Sequence, residues 1–167
     1  MFIDETGAST KMARRYGRAP RGERCRASVP HGHWKTTTFV GALRLAGMTA
    51  PMVLDGAMHG AAFLAYVEQV LAPTLSPGDT VVVDNLSAHK VVAIEPLIKA
   101  RGAEVLYLPP YSPDLNPIEE MWSKLKSILK AEGARTRRTL DRAIAYAMTE
   151  ITPSDCNGWF AHSGYAV

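Results

Sequence analysis

Thr80-Val81-Val82-Val83 is a short β-branched run held between a strong turn signal, Ser76-Pro77-Gly78-Asp79, and the polar step Asp84-Asn85. A strand without polar alternation is buried on both faces, which is the habit of parallel sheets covered by helices. The flanking segments agree. Within Gly60 to Ala72, residues Phe63, Leu64, Val67, Val70 and Leu71 recur at helical spacing, and Pro73 closes the segment. On the other side, residues 90 to 100 predict a helix with Val91, Val92, Ile94, Leu97 and Ile98 facing inward despite Pro96. Gly102 ends that helix, and Ala103 to Leu108 supplies a further strand.

Three strands precede this alternating part. Met1 to Glu5 reads as a buried strand interrupted by Asp4. Lys35 to Ala46 and Ala50 to Leu54 read as a strand pair turning at Gly47. The fold class is therefore α/β: a five-stranded mixed sheet, three antiparallel strands and then two parallel, flanked by helices. A right-handed crossover lets the fourth strand lie beside the first. Beyond it, Arg137 to Ile151 predicts a helix with Leu140, Ile144, Ala147 and Met148 inward. Thr152-Pro153-Ser154-Asp155 caps a short terminal helix, and Trp159, Phe160 and Tyr165 are packing anchors.

With 47% apolar and 21% charged residues, the 167-residue chain suits one domain over 1–167. No uncharged run approaches a membrane span of roughly 18 residues, and acids at positions 4 and 5 spoil a signal peptide. Two cysteines, Cys25 and Cys156, are too few for a disulfide framework and lack metal-site spacing, so a reducing cytoplasm is the expected compartment.

Three acids stand at informative places. A charge inside a buried strand is expensive unless it is paired or binds metal, so Asp4 either holds a ligand or ends an edge strand. Asp84 ends the Thr80–Val83 strand, where ligands of such sheets collect, although Asp-Asn also simply starts turns. His89, five residues on, either orients a phosphate or carboxylate or is a surface histidine opening the next helix. Glu119 follows four prolines in LPPYSPDLNPIEEMW. Asn116 suits the N-cap, Pro117 the first helical position and Glu119 the third, so a capping box is the local reading. At about 100° per residue, Ile118, Met121, Trp122, Leu125, Ile128 and Leu129 form one apolar arc, with Glu119 at its margin and Glu120 opposite. That geometry assigns Glu119 to the cleft and Glu120 to solvent, and leaves Asp114 to an Asx turn. Asp4, Asp84 and Glu119 together form an oxygen-only set suited to Mg²⁺ or Mn²⁺.

Charge is unevenly distributed. Residues 11 to 26 hold seven Lys or Arg against one Glu, residues 121 to 142 seven against two acids, and residues 31 to 120 five against nine. Basic flanks around an acidic middle fit a polyanion gripped outside a carboxylate site, and solvated faces are the alternative. The first cluster, Lys11, Arg14, Arg15, Arg18, Arg21, Arg24 and Arg26, lies in a long connection spanning 6–34 that faces DNA or a partner. Lys124, Lys126 and Lys130 form a basic side of the helix after Glu119. His31 and His33 in the connection lack a matching Cys or His cluster.

The pieces FIDET, VVVDNLSAH, LPPYSPDLNPIEEMWSKLK and WFAHSGY resemble the catalytic domain of DDE transposases in the mariner and insertion-sequence 630 superfamily. Positions 85 to 118, 34 residues, separate Asp84 from Glu119, the interval that family typically keeps between its second and third acids. The resemblance spans nearly the whole chain and implies an RNase H-like fold. It casts Asp4, Asp84 and Glu119 as catalytic metal ligands for Mg²⁺ or Mn²⁺, with two ions expected, and Asn85, His89 and Asn116 as supporting residues. It implies metal-dependent cleavage at insertion-sequence ends, followed by attack of the freed 3′-hydroxyl on target DNA, and so DNA transposition and recombination.

The implied partners are double-stranded DNA, as transposon ends and target, and a second copy in a homodimer. The basic loop matches the place of a dimer-contacting clamp, and the site of action would be the cytoplasm at the nucleoid. Relatives carry helix-turn-helix modules before the catalytic domain, and this sequence has no counterpart. The expectation is therefore a separately encoded N-terminal part joined by frameshifting, or a truncated product. Two rival readings are a non-catalytic DNA-binding or dimerisation remnant and a stand-alone RNA–DNA hybrid nuclease.

Overall fold

The computed structural model describes residues 1–31 and 36–166. Its sheet has the order β3-β2-β1-β4-β5. Strands β1 (Phe2–Ser9), β2 (Thr36–Arg44) and β3 (Gly47–Asp55) form an antiparallel meander, and β4 (Thr80–Val83) and β5 (Glu104–Tyr107) continue parallel to β1. This is the predicted sheet, with β1 at its centre. The pairing Ile3↔Val83 makes Asp4 and Asp84 the next residues along two adjacent strands.

The two faces of the sheet are covered separately. Phe2, Phe39, Leu43 and Val82 pack under α3 (Pro117–Glu132), α4 (Arg137–Thr149) and α5 (Pro153–His162). Ile3, Val40, Ala42, Val81 and Val83 pack under α1 (Gly60–Tyr66) and α2 (Ile94–Lys99). The valines of β4 therefore alternate between two cores, which is why none of them is polar. In β2 the alternation is unbroken: Phe39 and Leu43 face one core while Val40 and Ala42 face the other. The register with β3 shifts between Val40 and Ala42, where a β-bulge sets two β3 residues, Ala50 and Pro51, against Gly41, with Ala50 at φ 49°. Gly41 lies directly across from Asp4.

Several boundaries depart from the sequence expectation. β1 continues to Ser9, with Thr6 and Ala8 buried and eight positions paired with β2, so the basic connection starts at Thr10 and not at position 6. Gly60 to Ala72 is helical but not uniformly α: a π-helical turn, Val67–Leu71, and a 3₁₀ turn, Ala72–Thr74, follow α1. Pro73 has no amide to extend the α ladder. Val91 and Val92 precede α2, and Val92 is 91% exposed, contrary to the inward placement. Starting the helix before Ala93 would leave the Val92 carbonyl facing Pro96, which cannot donate.

Asn116 occupies the N-cap of α3 and Pro117 its first position, as expected, but the Asn116 side chain makes no capping bond and the predicted box with Glu119 does not form. Capping boxes do form at Thr136/Thr139 of α4 and at Thr152/Asp155 of α5. Gly133 ends α3 in the left-handed conformation, φ 58°. The anchors pack as predicted, with the Phe2 ring 5.3 Å from Phe160 and 4.9 Å from Tyr165. No described helix is long and apolar enough to cross a membrane.

Candidate active site

Asp4 sits on the central strand and is 7% exposed. Its main polar partner comes from α3: Trp122 Nε1 donates to Asp4 Oδ2 at 3.0 Å. The Trp122 ring itself packs edge-on against Phe39, at 5.3 Å. Burial pushes the Asp4 carboxyl up to about 7, and the charges of Glu119, Glu5 and Asp84 push in the same direction against a backbone hydrogen bond at Glu5. Four carboxylates thus share one electrostatic neighbourhood around the middle of β1 and the carboxyl end of β4.

Asp84 follows β4 directly and accepts a hydrogen bond from the Leu86 amide at 3.1 Å and one from His89 Nδ1. Burial raises its carboxyl, but the His89 hydrogen bond and charge outweigh that and hold it below the ordinary carboxylate range. His89 is fully buried in the 3₁₀ turn Ser87–His89, its ring 4.1 Å from Phe63. Its Nε2 donates to Glu5 Oε2 at 3.0 Å. Burial disfavours the imidazolium, yet the two carboxylates prevail and carry His89 up to about 9. Both ring nitrogens are then donors at neutral pH. His89 is therefore a buried histidine bonded to two carboxylates and not a surface residue.

Glu119 stands in the first turn of α3, exposed, on the wall of a depression of about 460 Å³ that it shares with Asp84, Asn85, Lys90 and Tyr111. Glu120 is half-buried and not free in solvent as predicted: it lies 3.3 Å from His162 Nε2, a partner that helical geometry within α3 could not reveal. Asn85 Oδ1 is buried without a hydrogen-bond partner. A buried, unsatisfied acceptor in the same depression as Asp84 and Glu119 leaves one more oxygen for a cation or a donor. Among the described residues, no group of three or more His, Cys, Asp or Glu side chains is arranged to hold an ion in common.

Sequence reasoning overlooks two members of this neighbourhood. Glu5 reads only as the end of a strand, and Trp122 only as part of an apolar arc. Period-two alternation carries the signal for Glu5, because consecutive acids on a central strand point to opposite faces and each needs its own partner. Trp122 carries a weaker one, an indole N–H that a buried site must satisfy.

The basic residues divide. Lys11, Arg14, Arg15, Arg18, Arg21, Arg24 and Arg26 are all exposed on the connection after β1. Part of it lies against α3, where Arg14, Arg15 and Tyr16 line a depression with Ser127 and Lys130. Arg135 Nη1 donates to the Met12 carbonyl at 2.9 Å. Lys124 is paired with Asp155 at 2.6 Å, and Lys126 is half-buried. Asn116 is 5% exposed and Asp114 exposed. His31 is exposed, whereas His33 and Trp34 lie outside the described residues.

A five-stranded mixed sheet in this order, helices on both faces and carboxylates gathered on β1 and at the end of β4 define an RNase H-like domain. The chain belongs to the DDE superfamily endonuclease family, whose model matches residues 1–141. No curated protein sequence matches it. Its fold is similar to Mos1 transposase in the crystal structure of the Mos1 strand transfer complex, with TM-score 0.69, 16% identity and coverage of 97% of this chain and 51% of that one. It is also similar to the Mos1 transposase catalytic domain solved with raltegravir and Mg, with TM-score 0.63, 14% identity and coverage of 99% and 84%. The catalytic core domain of BIV integrase matches with TM-score 0.52, 18% identity and coverage of 79% and 91%. The chain spans about half the length of the Mos1 chains in the DNA complexes, 51% in the strand transfer complex and 55% in the paired-end complex with the left transposon end.

Proposed function

We propose that this chain performs metal-dependent DNA strand cleavage and strand transfer at insertion-sequence ends, with Asp4, Asp84 and Glu119 as the catalytic carboxylates. The observation that carries the reading is a buried, electrostatically stressed Asp4 beside Asp84, both one step past the Ile3–Val83 pair, with Glu119 on the wall of the depression that Asp84 lines. The donor set fits Mg²⁺ or Mn²⁺: every acid is an oxygen ligand, and Asn85 Oδ1 is a further buried oxygen without a partner. Two bound ions would activate the attacking water or 3′-hydroxyl and stabilise the leaving oxygen. Trp122 and His89 would hold the Asp4 and Asp84 carboxylates in fixed orientation through their hydrogen bonds. Mos1 structures that contain DNA, Mn or Mg lend support by likeness of fold.

The partners in this reading are transposon ends and target DNA, a second copy of the chain, and a helix-turn-helix part supplied by a longer or separate chain. The exposed arginines of the arm supply sequence-independent affinity, and binding by this part is strongly salt-dependent. A second reading, a catalytically incomplete DNA-binding remnant, draws on the lack of a preformed three-ligand group among the described residues. Incubation with Mg²⁺ or Mn²⁺ and end-containing DNA, with a DNA-binding part fused if needed, separates the two. The proposed function requires nicked and joined products that vanish in both Asp84→Ala and Glu119→Ala. Products that persist in either variant would refute the assignment, and their absence from the unaltered protein would favour the remnant.

A further inference from the structure

Three depressions adjoin one another along α3. The one holding Asp84 shares Pro113, Asn116 and Glu119 with a larger groove of about 730 Å³, which runs between α3 and α5 past Ser123, Lys124, Trp159 and His162. That groove in turn shares Ser127 with the depression under Arg14, Arg15 and Lys130. From Glu119 to Lys130 the helix rises about 17 Å, which matches roughly five nucleotides at the 3.4 Å spacing of one strand.

Charge and chemistry change along this path in a consistent direction. At one end stand the carboxylates. In the middle Lys124 is matched by Asp155 and Glu120 lies beside His162, and the exposed Ser123 and Ser127 hydroxyls and the half-exposed Trp159 ring remain available. At the far end, among the described residues, Arg14, Arg15 and Lys130 carry cationic groups outside any ion pair. Serine hydroxyls and arginines bind phosphates, and an indole face stacks on a base whatever its identity.

We infer that the α3–α5 groove is the track for one DNA strand, which leaves the carboxylate centre at Glu119, passes Ser123, Trp159 and Ser127, and reaches the phosphate grip of Arg14, Arg15 and Lys130. The inference rests on the DNA-processing reading of the site and adds the path of the strand to it. It also gives Trp159, beyond its packing role, a face on which a base can stack.

Disulfide trapping tests the track without requiring turnover. In a Cys25→Ser background, which leaves only the buried Cys156, single cysteines replace the exposed Ser123, Ser127 and, on the opposite face of the sheet, Glu68. Each is mixed with DNA ends that carry a thiol tether on one defined phosphate. The track predicts adducts at Ser123→Cys and Ser127→Cys, with the best tether position moving outward from the DNA end between the first and the second, and none at Glu68→Cys. Equal trapping at Glu68→Cys, or trapping without positional order, overturns it. Cleavage of the same DNA is scored separately. Ordered adducts without cleavage would keep the track and reject the catalytic reading, and cleavage without ordered adducts would do the reverse.

Discussion

Trp122 Nε1 donates to Asp4 Oδ2 at 3.0 Å across 118 positions of sequence, tying α3 to the central strand at the carboxylate that is hardest to keep charged. Trp122→Phe keeps an aromatic ring against Phe39 and removes the donor. Leaving a buried acceptor unsatisfied costs about 1–3 kcal/mol, so the variant should lose stability by that order in chemical denaturation. It should also move the Asp4 carboxyl further above its ordinary range, read by carboxyl NMR titration. An unchanged Asp4 titration would mean the indole does not support this group.

A second prediction concerns acid stability. Arg44 donates to both oxygens of Asp79, at 2.8 and 2.6 Å, and the Ser76 amide adds a third hydrogen bond at 2.8 Å. The Arg44 hydrogen bonds lead in holding the Asp79 carboxyl down to about 2, against a small opposing effect of burial. A depressed folded-state value contributes stability that is present above the ordinary carboxylate range near 4 and is lost as pH falls through about 2. Both side chains are partly exposed, which limits the gain to about 1 kcal/mol. Asp79→Asn should therefore lower stability at pH 6 and flatten the decline between pH 4 and 2, as measured by denaturant midpoints across that range.

DNA binding should follow the arm. Arg14→Ala and Arg15→Ala each remove one exposed cation beside α3, and each should reduce the slope of log affinity against log salt by about 0.9 for every phosphate that is no longer neutralised. The weakening should be similar for end-containing and unrelated duplexes, as checked by fluorescence anisotropy at several salt concentrations.

Asp155 links two elements, accepting from the Thr152 backbone amide at 2.9 Å in the α5 capping box and from Lys124 of α3 at 2.6 Å. Thr152→Ala breaks the box and should cost about 1 kcal/mol, measured by thermal unfolding. Because α5 forms one wall of the groove beside Glu119, the same variant should weaken DNA binding beyond what its stability loss explains.

The sheet was legible because its signals are local and redundant. The unbroken β4 run, the turn at Ser76-Pro77-Gly78-Asp79 and the Gly47 turn each left one arrangement open. Where sequence and structure differ, the deciding partner lies far away in sequence or a few residues downstream. β1 continues past Glu5 because β2 pairs with it over eight positions. Val92 stays outside its helix because of a proline four residues on. In the site, Asp4 and Asp84 could be placed from their strands, and the apolar arc of α3 placed Glu119. The Glu5–His89–Asp84 chain could not be read, because it joins the middle of β1 to the end of β4 through a turn whose histidine carries no polar pattern of its own. Glu120 pairs across to His162 of α5, a contact that no periodicity within α3 encodes.

The central claim is that Asp4, Asp84 and Glu119 jointly hold divalent cations, and a Mn²⁺ titration in the presence of a DNA end tests it most directly. Electron paramagnetic resonance of free Mn²⁺, or calorimetry, would compare the unaltered protein with Asp4→Asn, Asp84→Asn and Glu119→Gln. Carboxamides preserve size and remove charge, so each variant should lose Mn²⁺ affinity by at least roughly tenfold while remaining folded. Mn²⁺ binding unchanged by all three substitutions, or absent from the unaltered protein with DNA bound, would contradict the account.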